Sequence, residues 1–297
     1  MDMINDRLLH DKDTNVVFLS PCLNTKKYGN PEFYKELMTI LKEMGIEARE
    51  LKCTRDYWAR DYMPIQLGES EFLKYHYCPD YLINKDDIDS ITDVSKVMSG
   101  MGIHYRSTNI IIDGGNMVPC GSYIVMTDKV FSENRKKKDD ADFKALLESE
   151  LGHPVIVIPW TSHEDDVYGH SDGFIKWCGD NRILMGNHGD CYPEEAAYIC
   201  RIFESYGFEV TEMRFKGKVD TPCYDLNWAY INFLQVGKNI IMPKFNIEED
   251  TIALQYIQNA FPDCIIRQIE MAEIAKEGGA LHCISWNVYL PKSHVKT

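Results

Sequence analysis

A chain of 297 residues with 44% hydrophobic and 11% aromatic side chains can bury a full-sized core, as one large domain or two ordinary ones. Its formal charge of −14 leaves no basic face for phosphates, so nucleic acid and membrane are not expected partners, whereas a cationic small molecule suits it. No basic segment leads into an apolar run at Met1–Arg7, and no stretch nears the ~18 uninterrupted apolar residues of a membrane span, so a soluble, cytoplasmic protein is expected.

In chain order, Val16–Ser20 reads as a strand, and Asn30 caps a helix over Pro31–Met44 whose Phe33, Leu37, Ile40, Leu41 and Met44 share a face. Glu47–Leu51 is the strand that follows. A weaker helix over about 86–100 precedes a short strand at Ile103–Arg106. Amphipathic runs then predict helices over about 139–151 (Phe143, Leu146, Leu147), 193–206 (Ile199, Phe203, Tyr206) and 248–260 (Ile252, Tyr256, Ile257). Each is followed by a β-branched run, at Val155–Ile158, Phe208–Thr211 and Cys264–Ile266.

Strand, strand, helix, strand therefore recurs at Met63–Arg106, Ile110–Ile158, Asp172–Thr211 and Tyr230–Ile266. A fifth copy starts at Cys283–Leu290 and finishes with the N-terminal strand, helix and strand, which closes a ring. Spacings of roughly 50–60 residues mark repeat architectures, in which each unit packs on its neighbours. An irregular α/β domain is the plainer alternative.

Ten cysteines lie scattered without short repeated spacings and are expected to be mostly reduced, buried, small apolar residues. A functional thiol must therefore be recognised by its neighbours. Unusual polar residues gather at the first strand of each copy. Trp58-Ala59-Arg60-Asp61 precedes copy one, and Asp113-Gly114-Gly115-Asn116 closes the first strand of copy two. Gly169-His170-Ser171-Asp172 opens copy three, Asn232 lies in the first strand of copy four, and His282-Cys283 starts copy five. In a ring of like units these positions converge on the axis. Singly, each has a bland reading: a surface ion pair at Asp61, a hairpin at Asp113-Gly114, a structural contact between His170 and Asp172 on one strand face, and a core thiol at Cys283.

Together the blocks resemble the guanidino-group-modifying enzymes, or penteins, and within them the agmatine deiminase and bacterial-type peptidylarginine deiminase branch. Trp58-Ala59-Arg60-Asp61-Tyr62-Met63-Pro64 is similar to its W-x-R-D-x-G-P segment, and Ile112–Asn116 to its acidic-Gly-Gly strand end. Gly169–Phe174 is similar to its G-H-x-D block, Tyr230–Phe233 to its Y-I-N-F strand, and Gly278–Ile284 to its G-G-x-x-H-C-I ending. Met63 stands where that branch has glycine, and Asp113 where glutamate is common.

The resemblance implies a five-bladed α/β propeller of ββαβ repeats, one catalytic domain over 1–297, and hydrolysis of a guanidinium group to ammonia and a ureido product. Agmatine is the leading substrate. It implies Cys283 as nucleophile, His170 as acid/base, Asp113 orienting His170, and Asp61 and Asp172 gripping the guanidinium. Asn232 and Trp58 are candidate substrate contacts, as is Asp166 of the Glu164-Asp165-Asp166 run for a cationic tail. No cofactor and no metal are expected; the partner is a small cationic guanidino compound, and a homo-oligomer is compatible with the sequence. Alternatives are an arginine or peptidylarginine deiminase, an amidinotransferase, a non-catalytic guanidinium binder, and a metal hydrolase using His163, His170, Asp172, His188 and Cys191.

Overall fold

The computed structural model describes residues 7–27, 29–160, 166–215 and 226–291. Its described strands form five three-stranded sheets. β1 (Val16–Leu19) and β2 (Glu47–Glu50) flank the helix Pro31–Glu43, which Asn30 caps by accepting from the Glu32 and Phe33 N–H groups. The second sheet holds β3 (Ile65–Gly68), β4 (Glu71–His76) and β5 (Arg106–Ile111). The third holds β6 (Val118–Cys120), β7 (Tyr123–Thr127) and β8 (Val155–Ile158). The fourth holds β9 (Ile175–Trp177), β10 (Arg182–Met185) and β11 (Glu209–Glu212). The fifth holds β12 (Leu234–Val236), β13 (Asn239–Lys244) and β14 (Ile265–Glu270). β15 (Ser285–Val288) pairs antiparallel with β1 and so completes the first sheet across the two ends of the chain.

Every sheet repeats one pattern. The middle strand pairs antiparallel with the strand before it and parallel with the strand after the helix. The middle strands are short apolar runs because both of their faces are buried, each against a different core. Val16 and Phe18 of β1 pack with Phe72, Val97 and Met98 of the second unit, whereas Val17 and Leu19 pack with Leu234, Ile241 and Ile269 of the fifth. Ile124 and Met126 of β7 face Leu73 and Ile110, while Val125 faces Ile175 and Ile183. Leu184 of β10 joins the last core with Ile240 and Met242. Each of the five cores thus joins two sheets, and each buried aliphatic side chain contributes ~1.5–3 kcal/mol of transfer free energy.

Several boundaries differ from expectation. β5 runs to Ile111, so Ile110 ends the second sheet instead of opening the third. The helix expected over 86–100 is two, Lys85–Ser90 and Val94–Met101. The break falls at Ile91–Asp93, where the Thr92 hydroxyl accepts the Arg55 N–H and ties the chain back to the preceding loop. Leu146 and Tyr206, expected on buried faces, are 47% and 40% exposed, and Leu151 fills the inner position of its helix. Among the described free cysteines only Cys120 and Cys283 are buried, and Cys53 and Cys78 are exposed. Among the described residues no helix is long and apolar enough to cross a membrane.

Candidate active site

The polar blocks sit on short turns just upstream of the first strands, not on the strands themselves. Asp61 lies on the single turn Ala59–Tyr62 before β3, and Gly114–Asn116 form a 3-10 turn after Asp113, before β6. Ser171–Gly173 form another before β9, so His170 and Asp172 flank Ser171 on a turn and are not paired on a strand face as the spacing implied. Asn232 follows the turn Leu226–Ile231, and Cys283 precedes β15. A turn at each strand entrance leaves these side chains free to meet one another, where a strand would send alternate ones into its two cores.

These turns are bound to one another. The Arg60 N–H donates to the Cys283 carbonyl at 3.0 Å. The Cys283 N–H donates to Asn232 Oδ1 at 3.2 Å, and Asn232 Nδ2 donates to the Asp172 carbonyl at 3.3 Å. Tyr75 Oη donates to the Asp61 and Met63 carbonyls, at 2.8 Å each, and holds the Asp61 turn over β4. Gly115 is required for close approach: a Cβ there would stand 2.6 Å from His170 Nδ1 and 2.9 Å from Asp61 Oδ1.

The result is a buried cluster. His170 Nε2 lies 2.9 Å from Asp113 Oδ2, and its Nδ1 lies 3.6 Å from Asp61 Oδ1. Cys283 Sγ is 3.7 Å from Asp172 Oδ2, which also accepts from His282 Nδ1 at 2.6 Å. Oδ1 of Asp61, Asp113 and Asp172 are all buried without a hydrogen-bond partner, an arrangement that calls for a cation with several N–H groups.

The electrostatics follow from burial and charge. Burial opposes a charged imidazole at His170, but Asp61, the Asp113 hydrogen bond and Asp172 outweigh it and push its pKa up to about 10. Burial raises Asp61 to about 8, with Asp113 and Asp172 adding to the rise and His170 opposing it. Burial would raise Asp172 too, but the hydrogen bond and charge of His282 hold it below the ordinary carboxylate value. Burial and the charges of Asp172 and Asp61 push the Cys283 thiol well above its usual range.

His170, Asp172, Asn232 and Cys283 line one cavity of about 400 Å³, with Asp166, Tyr168, Phe174, Tyr192, Trp228 and Lys276 toward its outer part. Asp61 and Asp113 stand beside His170 and are not among the lining residues. Trp58 packs against Gly279 and lies 4.5 Å, centroid to centroid, from Tyr57, next to the cavity-lining Gly278. Asp166 lines the cavity, but its carboxylate already accepts from Trp160 Nε1 at 3.1 Å and from the Tyr168 and Gly169 N–H groups at 2.9 Å each. Glu164, Asp165 and His163 lie outside the described residues. Asn232 spends its amide on the backbone of its neighbours.

The donors of the metal reading are engaged separately: His170 with Asp113, Asp172 with His282, and His188 with Glu195 at 3.3 Å. Among the described residues no group of three or more such side chains could hold a metal ion.

The sequence reading missed Lys129, buried at 1% exposure. Its ammonium meets Asp80 at 3.0 Å, the Val167 carbonyl at 2.8 Å and Glu133 at 3.6 Å, and lies over the Tyr81 and Trp160 rings. It ties two loops beside His170, since Tyr81 and Tyr168 both lie against that ring. A lysine inside an apolar helix start gives no sequence signal of this kind. His282 was also missed, although it sits inside the same block as Cys283.

The sequence matches the Porphyromonas-type peptidyl-arginine deiminase family over residues 28–288. The agmatine deiminase of Ectopseudomonas mendocina is 24% identical over 213 residues, 61% of this chain and 58% of that protein. A putative agmatine deiminase of Legionella pneumophila is 39% identical over 209 residues, 64% of this chain and again 58% of that protein. Among solved structures, the C. jejuni agmatine deiminase superimposes with a TM-score of 0.78 at 18% identity, covering 96% of each chain, and a substrate-bound form of that enzyme gives 0.76.

Proposed function

The chain belongs to the Porphyromonas-type peptidyl-arginine deiminase family, and from that membership and its site we propose that it hydrolyses a small guanidino compound, agmatine first among them. The observation that carries the reading is the buried ring of Asp61, Asp113 and Asp172, each with an unpartnered oxygen, around His170 and the Cys283 thiol. We further propose that the five sheets are the blades of one closed propeller, forming a single domain over 1–297. Its support is the cycle of cores, each shared by two neighbouring units, with the fifth returning to the first.

Asp172 and Asp61 grip the guanidinium N–H edges by charge-assisted hydrogen bonds. In the empty site the carboxylates keep Cys283 as a thiol. A bound cation offsets their charge, so the thiol releases its proton to solvent and the thiolate forms once substrate is in place. The thiolate attacks the central carbon. His170, held as the imidazolium by Asp113 and Asp61, donates its proton to the departing nitrogen, and the C–N bond breaks to release ammonia. The neutral imidazole then takes a proton from water, which adds to the thiouronium carbon. Rupture of the C–S bond returns the thiolate, and loss of the hydroxyl proton to solvent yields the ureido product, N-carbamoylputrescine if agmatine is the substrate. Asn232 fixes Cys283 against Asp172 from the backbone side.

Lys276, at the outer part of the cavity and paired with Glu273 at 2.7 Å, favours a second reading in which the tail carries no ammonium, as in arginine or peptidyl-arginine. A panel of agmatine, arginine and a peptidyl-arginine, scored for ureido product and ammonia without added amine, tests both readings. Turnover on none of them sinks the deiminase reading, and product formation only with an amine acceptor would make the chain an amidinotransferase.

A further inference from the structure

Behind the catalytic cluster lies a second cavity of about 340 Å³, lined by Asp11, Arg60, Lys176, His282 and Asn287 among others, which shares no lining residue with the first. His282 lines this rear cavity while its neighbour Cys283 lines the front one. The His282 ring crosses from one to the other. Its Nδ1 donates to Asp172 Oδ2 at 2.6 Å, and its Nε2 faces Asp11 Oδ2 at 3.6 Å. Asp11 is itself pinned by Lys176 Nζ at 2.6 Å and by Asn287 Nδ2 at 2.9 Å, and Asn287 Oδ1 accepts from the Arg60 guanidinium. Arg60 Nε also points at the His282 carbonyl at 3.4 Å.

We propose that His282 is a positioning residue for the reaction: backed by Asp11 and Lys176, it fixes Oδ2 of Asp172 and leaves Oδ1 free to take the substrate's guanidinium. The inference rests on the deiminase reading for the identity of the substrate, but its geometry does not. Asp172 has one oxygen engaged and the other buried and unpartnered. A carboxylate so deeply buried would otherwise be driven to its neutral form, in which one oxygen carries a proton and grips a cation poorly. The groups facing Asp172 are His282 and Cys283 in contact, with His170, Arg60 and Asp61 acting through space. His282 acts most strongly among those that favour its charged form. Asp11 and Lys176 give the imidazole a fixed seat, so its aim does not depend on the substrate.

The test compares wild type with His282→Phe, His282→Asn and Asp11→Asn. The first readout is kcat/KM for ureido product between about pH 6 and about pH 9, taken as the ratio of variant to wild type so that ionisations common to all proteins cancel. For His282→Phe the ratio is expected to fall toward low pH, by up to about tenfold per pH unit as Asp172 takes up a proton, with the loss mainly in KM. His282→Asn returns an N–H donor to Oδ2 and should recover at least about tenfold of that loss, while Asp11→Asn should shift the ratio in the same direction by less. A ratio that is flat across pH, with kcat lowered only as far as the folded fraction, means a merely structural role and overturns the proposal. The second readout needs no turnover. In the infrared, His282→Phe should show a protonated-carboxyl stretch that the His282→Phe/Asp172→Asn double variant lacks, and its absence overturns the proposal. If His282→Phe does not fold, Asp11→Asn carries both readouts with the same criteria. If wild type makes no ureido product, the deiminase reading falls and the infrared comparison still judges His282.

Discussion

Gly115→Ala places a methyl group where none fits. An ordinary Cβ contact is about 3.4–4 Å, whereas the added carbon would lie 2.6 Å from His170 Nδ1 and 2.9 Å from Asp61 Oδ1, so a shift near 1 Å is required. The backbone cannot supply it easily. Gly114 is wedged against Arg60 and Tyr75 on the adjoining side, and Asn116 is tied to Thr127, whose N–H donates to Asn116 Oδ1 at 2.7 Å. The imidazole and Asp61 must therefore yield, lengthening the 2.9 Å contact with Asp113. Displacement of a catalytic group by about 1 Å costs on the order of 100-fold in rate, and overpacking costs about 1–3 kcal/mol of stability. We expect kcat on the preferred guanidine to fall on the order of 100-fold in a protein that still unfolds cooperatively. The assay is ureido product formation with active sites counted by haloacetamidine labelling of Cys283, alongside thermal melting. Gly100→Ala is the control: it lies in the helix Val94–Met101 with nothing within 4 Å of the added carbon, and should gain up to about 1 kcal/mol at unchanged activity. Turnover of Gly115→Ala within about threefold of wild type would refute the view that the Gly-Gly pair exists to let His170 and Asp61 approach.

Cys283→Ala should stop ammonia release while leaving the melting transition near that of wild type, and any retained turnover removes the thiol from the mechanism. A haloacetamidine should label Cys283 ahead of the exposed Cys53 and Cys78, because its cationic head seeks the carboxylates; mapping the adduct by mass spectrometry decides this. The free-enzyme profile, kcat/KM, should lose about tenfold per pH unit below about 8, since burial keeps Asp61 neutral there. It should fall again above about 10 as His170 loses the proton it must donate; a flat profile across neutral pH contradicts the Asp61 assignment, and activity that holds above about 10 contradicts that of His170. Lys129→Met strands the buried Glu133 and releases Asp80 and the Val167 carbonyl; breaking such a buried pair costs about 3–5 kcal/mol, so Tm should drop by roughly 5–15 °C and KM should rise as the loops beside His170 loosen. An unchanged KM would separate Lys129 from the site.

The repeat was legible because its buried strands are apolar on both faces: runs such as Val16–Leu19 and Val155–Ile158 read as strands, and the helices between them carry ordinary caps and stripes. The clustering of Asp61, Asp113, His170, Asp172 and Cys283 could be inferred because each falls at the same point of a unit. The local backbone at Asp113, His170, Asp172 and Cys283 was misread, whereas Asp61 was placed ahead of its strand. A residue one to five positions upstream of a strand looks the same in sequence as one on it, and only the turn hydrogen bonds, such as Gly173 N–H to the His170 carbonyl, distinguish the two. Asp166 illustrates a different limit. An acidic residue near a site suggests a cationic ligand, yet this one serves the N–H groups of its own loop, a duty with no compositional mark. His282 was hidden by Cys283, since a motif read for its nucleophile assigns nothing to the neighbour.

The arrangement of charge also implies that a nucleophile at Cys283 stays quiet until its substrate arrives. Burial, with the charge of Asp172 beside it, holds the thiol in its neutral form while no cation is present, so it offers little thiolate to oxidants or untargeted alkylating agents at neutral pH. The carboxylates around it have unpartnered oxygens, and a ligand that is cationic, planar and rich in N–H groups satisfies them. An ammonium could supply the charge, but its tetrahedral donors match a single carboxylate edge. A guanidinium reaches two edges at once and places its central carbon toward the thiol. Recognition and activation are therefore one event in this site, and the asymmetry between Asp172, held ionised by His282, and Asp61, largely neutral until the cation arrives, sets their order. In the proposed mechanism Asp172 captures the substrate, and the captured charge then lets Asp61 and Cys283 release their protons to solvent.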